Sequence, residues 1–149
     1  MEMHQPGDRR ARRRMTAVAA IIGSLGVLIG AFGAHGLESY LTSRFELPAE
    51  TLLRRSEQFD VAVRYHLVHA AAMLALCGLP NLSAGSFKLA AALMIAGTLL
   101  FSGSLYVLVA TNTPWLGMIT PLGGISWVVA WAVIAIGALR SPDPDPQPQ

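Results

Sequence analysis

Four stretches of the chain read as apolar runs of membrane-crossing length. Thr16–His35 is a run of 20 residues without a charge. Val61–Leu79 is the second, interrupted in its first two turns by Arg64, Tyr65 and His66. Lys88–Val109 is uncharged beyond its first residue, and Leu116–Leu139 holds Trp127 and Trp131, with Trp115 just before it. A bilayer core about 30 Å thick takes roughly 20 residues of helix to cross. The pattern predicts an all-α integral membrane protein, an antiparallel bundle of four transmembrane helices over 16–35, 61–79, 88–109 and 116–139. Trp115 suits the membrane interface.

The polar segments between the runs complete the layout. Residues 1–15 form a basic head, expected to be disordered, and 140–149 ("RSPDPDPQPQ") a Pro-rich tail that cannot continue a helix. The one long connection, 37–60, is expected at the membrane interface. Pro48 suits the first turn of a helix, which should run from Ala49 into the second span. The other connections are short, which in helical proteins joins antiparallel neighbours. The membrane domain is thus 16–139, with no internal repeat.

Within the runs, small and polar residues mark the packing faces, because helices in lipid associate by close approach and polar contacts. In the first span Ala19, Gly23, Gly26, Gly30 and Gly33 recur at spacings of 4, 3, 4 and 3, and Gly26 and Gly30 make a GxxxG pair. In the third, Ala92, Ala96, Leu99, Gly103, Tyr106 and Ala110 repeat the pattern less strictly. In the second, Phe59, Ala62, His66, His69, Met73 and Leu76 share one seam, with Arg64 on the far side, free to snorkel to the headgroups. Both histidines are therefore expected to face other helices. His35 would point nearly opposite the glycine seam if the first helix continued, so either that helix ends near Gly33–Gly36 or His35 meets a different neighbour.

Composition and charge narrow the picture further. Of 149 residues, 53% are hydrophobic and only 13% charged, with a mean hydropathy of +0.48. Soluble domains carry about a quarter charged residues. The net charge of +2 conceals the run "RRARRR", which holds Arg9, Arg10, Arg12, Arg13 and Arg14. That run abuts an apolar helix, where basic residues fix membrane orientation, so no nucleic-acid partner is expected. A cleaved signal peptide fits poorly, since its apolar region spans roughly 7–15 residues and "AFGAHG" is a weak cleavage site. A mitochondrial presequence is disfavoured by a run that lacks serine up to Gly23 and is not amphipathic. Counting basic residues near the span ends puts seven on the side of the N-terminus and four on the other. A multi-pass bacterial inner-membrane protein with both termini cytoplasmic is therefore expected. Cys77 is the only cysteine, which excludes an internal disulfide and a cysteine-based zinc site.

Two motifs add candidate chemistry. "ITPLGG" (119–124) reads as a helix start, with Thr120 as N-cap, Pro121 at the first helical position, and Gly123 and Gly124 for close backbone approach. In "FSGSLY" (101–106), Ser102 and Ser104 can bond back to the carbonyls of Thr98 and Leu100. In an up-down bundle, "GAFGAHG", "YHLVHA", "FSGSLY" and "ITPLGG" meet at one leaflet. The candidate polar cluster there is His35, His66, His69, Ser102, Ser104, Tyr106 and Thr120. His69 is expected to bond across the bundle near Tyr106 or Thr120. No catalytic residue, metal ligand set or cofactor is expected, because the spans lack a carboxylate and a nucleophile–base pair.

These four motifs, in this order and spacing over roughly Ala17 to Leu139, resemble the domain of unknown function 423 family of small four-helix membrane proteins (YgdD-like and transmembrane protein 256-like). "LFSGSLY" and "TPLGG" are the distinctive pieces. The resemblance implies a fold and a membrane location, and no activity. Two functions stay open beside it, ahead of a third, an enzyme or a metal or haem protein, which is disfavoured by spans without a carboxylate or a nucleophile–base pair. One is a non-catalytic packing, partner or assembly protein, surrounded by membrane lipids and associating with another membrane protein or a second copy. The other is a small-molecule or proton conduit built on the His/Tyr/Thr cluster.

Overall fold

The computed structural model of the chain describes residues 6–79 and 82–140, and all of its regular structure is helical. Helix α1 is Pro6–His35, α2 Leu37–Arg44, α3 Ala49–Gly78 and α4 Ala84–Thr98. A π-helical turn, Leu99–Gly103, leads into α5, Ser104–Thr111; a 3-10 turn, Pro114–Met118, leads into α6, Thr120–Leu139. Four segments are long and apolar enough to cross a membrane: Asp8–His35, Ala49–Gly78, Ala84–Thr111 and Pro114–Leu139. The four-helix bundle predicted from the sequence is present.

Two boundaries differ from expectation. The basic head expected to be disordered through residue 15 is helical from Pro6 onward. Arginine is a good helix former, and Arg12 anchors this extension to the bundle. Its guanidinium donates to the carbonyls of Cys77 (3.3 Å), Leu79 (2.8 Å) and Leu82 (3.2 Å) and lies 4.7 Å from the Phe87 ring centre. The carbonyls of Cys77 and Leu79 at the end of α3, where helices leave acceptors unpaired, and that of Leu82 in the following connection are thereby satisfied from a different helix. The 37–60 connection is mostly helix, α2 plus the first turns of α3, which begins after Pro48 as anticipated. The Pro-rich tail expected beyond Arg140 and the first five residues of the head lie outside the described residues.

The glycine seam of α1 packs on α3. A Cβ added to Gly33 would lie 2.7 Å from Phe59, one on Gly30 3.0 Å from Val63, one on Gly26 2.8 Å from Leu67, and one on Gly23 3.7 Å from Ala70. Each step toward the N-terminus of α1 is matched by a step up α3, the register of an antiparallel pair. Ala19 and Met73, both 0% exposed, continue it. The outward side of α1, with Ile21, Val27 and Leu28, is exposed.

The third span follows a different stripe from the one expected. Ala92, Leu99 and Ala110 are exposed, while Ala91, Met94, Gly97, Thr98, Ser102, Leu105 and Val109 are buried. Small residues line both faces of this span, so spacing alone does not select one. The π turn also adds a residue to one turn and shifts the register beyond it.

The buried apolar residues form two clusters at opposite ends. One gathers Met15, Ala19, Met73, Leu76, Phe87 and Met94. The other gathers Leu37, Leu41, Phe59, Ala62, Leu105 and Leu108. The polar residues of interest fall in the layer between them.

Candidate functional site: a polar layer at mid-depth

His66 and His69 lie between Ala62 and Met73 on α3, and Thr98, Ser102 and Ser104 lie between Met94 and Leu105. Each set is flanked by both apolar clusters. All five are buried. These five therefore lie in the middle of the bundle, while Tyr106 packs on the cluster that holds Leu37 and Leu105 and Thr120 opens α6, toward the end where the sequence had placed all seven. The end-to-end motif argument treats each span as a straight ladder, and it misjudges depth because α3 begins well before its apolar run.

The partners of His66 fix its tautomer. Nε2 is 2.9 Å from the carbonyl oxygen of Ile22, which can only accept, so Nε2 carries the proton. In the neutral ring Nδ1 is then the acceptor, and it receives the hydroxyl of Tyr106 at 3.2 Å. One histidine thus ties α3 to α1 and α5. His69 works differently. Its Nδ1 donates to Tyr65 O of its own helix at 2.9 Å, and its ring stacks on Trp127. The cross-bundle bond to Tyr106 expected of His69 belongs to His66, one turn earlier on the same seam.

Trp127 organises the other side. Its Nε1 donates to Met94 O at 3.2 Å, and its indole is stacked 5.7 Å from the Tyr65 ring at 13°. It occupies the space above Gly97, where any added Cβ would collide with the indole. Ser126, beside it, donates to Leu93 O at 2.8 Å. The roles of Gly97, Trp127 and Ser126 were missed in the sequence, because the glycine and its partners lie on different helices and no spacing along the chain relates them. The tight fit at Gly137, against Leu82 and Ser86, was missed likewise.

Ser102 departs from the back-bonding expected, and Ser104 keeps it with the acceptor shifted by one residue. Ser102 Oγ crosses to Ala62 O of α3 at 2.9 Å, and Ser104 Oγ bonds Phe101 O at 3.0 Å and Thr120 Oγ1 at 3.1 Å. The widened π turn carries both hydroxyls out of reach of the carbonyls of Thr98 and Leu100. Thr120 does not cap α6: the helix continues from the 3-10 turn through Ile119, whose φ of −80° and ψ of −32° are already helical. Its hydroxyl is used on Ser104 instead.

Of the glycines assigned to packing, Gly123 is the tightest, because a Cβ there would overlap the backbone nitrogen of Phe101. Gly103 and Gly124 have their nearest neighbours only at 4.0 Å and pack loosely. His35 ends α1 and is exposed, so it does not join the layer.

Arg55, one step of four before Phe59 on the α3 seam, is 2% exposed. Its Nε and Nη2 both donate to Asn112 Oδ1 (2.9 and 2.7 Å), and Nη1 donates to Gln58 Oε1 at 2.9 Å. Asn112 ends α5 with φ 49°, a left-handed conformation that asparagine tolerates. Extending the α3 seam by one step would have found Arg55.

Among the described residues, no three His, Cys, Asp or Glu side chains gather in a metal-binding arrangement, and no buried side-chain N or O atom lacks a hydrogen-bond partner.

A family model described as "Protein of unknown function (DUF423)" matches residues 29–124. The chain is 37% identical over 125 residues to the UPF0382 membrane protein YwdK of Bacillus subtilis, covering 83% of this chain and 94% of that protein. It is 31% identical over 127 residues to the UPF0382 membrane protein SSP2132 of Staphylococcus saprophyticus, covering 83% and 98%. It is 31% identical over 129 residues to the UPF0382 inner membrane protein YgdD of Escherichia coli, covering 86% and 91%. No solved structure shows a significant match.

Proposed function

Since the chain belongs to the DUF423 family of membrane proteins, which carries no assigned activity, we propose that it works by association within the bilayer, as a non-catalytic partner or assembly protein. Its place is the bacterial inner membrane, with both termini cytoplasmic. The observation that carries this reading is the use made of the buried polar groups. Ionisable groups inside a span suggest function by default, and what favours a packing role is that these groups are spent on the chain itself. Here His66, Tyr106, Ser102, Ser104, Thr120 and Trp127 bond to other groups of the same chain. Their role is to fix helix positions, and the outer faces of α1 and α6 remain for a partner.

The experiment is photocrosslinking in native membranes, from a probe at Leu28 on α1 and one at Val128 on α6, which are 67% and 69% exposed. A discrete protein adduct, another membrane protein or a second copy, is expected from at least one face. Lipid adducts alone at both positions would remove the reading.

The conduit reading draws on the Tyr106–His66 hydrogen bond, which could pass a proton between two rings. The path then meets the carbonyl of Ile22, and a carbonyl that only accepts cannot hand the proton on. Proton flux into proteoliposomes that is abolished by His66→Gln would restore the conduit over the partner reading.

A further inference from the structure

We propose that Arg9, Arg10, Arg13 and Arg14 form a binding surface for the phosphates of anionic phospholipid headgroups at the end of α1. The proposal goes beyond the partner reading and stands without it.

The first support is position. Helix α1 has 30 residues, which at 1.5 Å per residue makes it about 45 Å long. That matches the roughly 40–45 Å of a bilayer with its headgroup layers. Thr16–His35 fills the hydrocarbon core, so the four arginines fall about 3–10 Å beyond it, at headgroup depth. Lys88 and Arg140 are exposed at the same end.

The second support is the face. At about 100° per residue, the four side chains cover one side of the helix, roughly opposite the buried Met15. All four are exposed. Arg12, between them in sequence, points away and holds the helix to the carbonyls of Cys77, Leu79 and Leu82. The array is therefore presented by an anchored helix rather than by a loose arm.

The third support is electrostatic. Arg9 and Arg13, and Arg10 and Arg14, are like charges at i,i+4, which repel. Arg9 also sits in the first turn of the helix, where the macrodipole disfavours cations. Asp8 is the only acid in α1. An arrangement that the chain itself leaves unfavourable becomes favourable against phosphodiesters, which guanidinium groups bind through paired N–H donors. Membrane surfaces supply that charge where polybasic juxtamembrane segments meet anionic lipid.

The test uses the purified full chain in neutral detergent, where orientation during insertion plays no part. Cardiolipin, phosphatidylglycerol or phosphatidylcholine is added, and bound lipid is counted by native mass spectrometry alongside the thermal midpoint. The parent should retain the two anionic lipids over phosphatidylcholine by about tenfold or more and be stabilised by them alone. The variant R9Q/R10Q/R13Q/R14Q should lose that preference while unfolding normally in phosphatidylcholine, and R44Q/R54Q, at the other end of the bundle, should keep it. The pairs R9Q/R13Q and R10Q/R14Q, each lowering retention, serve if the fourfold variant does not fold. Equal retention of neutral and anionic lipid, or full retention by the variants, overturns the proposal. So does an equal shift from inorganic phosphate, which would mean a free-anion site, or displacement of the lipid by a DNA oligonucleotide, which would mean a nucleic-acid surface.

Discussion

The imidazole of His69 lies flat on the indole of Trp127, with ring centres 3.6 Å apart and planes within 5° of parallel. Through this contact α3 holds α6, and the glycine at position 97 gives the indole its room. The histidine acts here as a plate with one donor, bonded to Tyr65 O. His69→Phe keeps the plate and should cost about 0.5–1.5 kcal/mol for the lost hydrogen bond. His69→Ala removes the plate and should cost about 2–4 kcal/mol. Thermal unfolding in detergent decides; equal losses would remove the stacking argument. Metal bound stoichiometrically to the parent and absent from both variants would make His69 a ligand instead.

His66 and Tyr106 should be energetically coupled. A double-mutant cycle with His66→Leu and Tyr106→Phe is expected to give about 0.6–2 kcal/mol, the range for hydrogen bonds between helices in membranes. His66→Gln, which keeps a donor and an acceptor, should be milder than His66→Leu, which strands the Tyr106 hydroxyl and the Ile22 carbonyl. A coupling of zero would contradict the bond at 3.2 Å.

Adjacent glycines at the start of α6 should respond oppositely. Gly123→Ala drives a methyl into the backbone of Phe101, which cannot swing aside, and should cost about 1–3 kcal/mol. Gly124→Ala meets its nearest atom at 4.0 Å and should be neutral or stabilising by up to about 1 kcal/mol, from helix propensity. Matching stabilities of the two variants would mean that α6 does not rest on the π turn.

The α1–α3 contact should be sensitive to bulk on one side only. Gly26→Leu places a side chain where Leu67 and His66 already stand within 3.2 Å and should lower the thermal midpoint. Ala31→Leu, on the exposed side of α1, should leave it nearly unchanged. If both shift alike, the seam is not the interface.

Orientation is tested with reporter fusions after Gln149 and in the connection between α3 and α4. Cytoplasmic activity is expected at both, from the seven-to-four distribution of basic residues. A periplasmic signal at either site would overturn the topology.

What the sequence determined by itself was what depends on length, and on one-dimensional period where only one face carries the small residues, as on α1 but not on the third span. The spans follow from run length against bilayer thickness, and the α1 seam from a regular spacing with a single plausible face. The burial of His66 and His69 follows from the same argument on α3. Tertiary structure decided what depends on matching two helices. Which histidine meets Tyr106 turns on the α3–α5 register, and a π turn of five residues resets that register without a mark in the apolar pattern. The same turn sends Ser102 to Ala62 and Ser104 to Thr120. Arg12 looked like one charge among five until the end of α3 came beside it. Its neighbours stayed exposed because, on a helix held against one partner, only the face turned toward that partner can be buried.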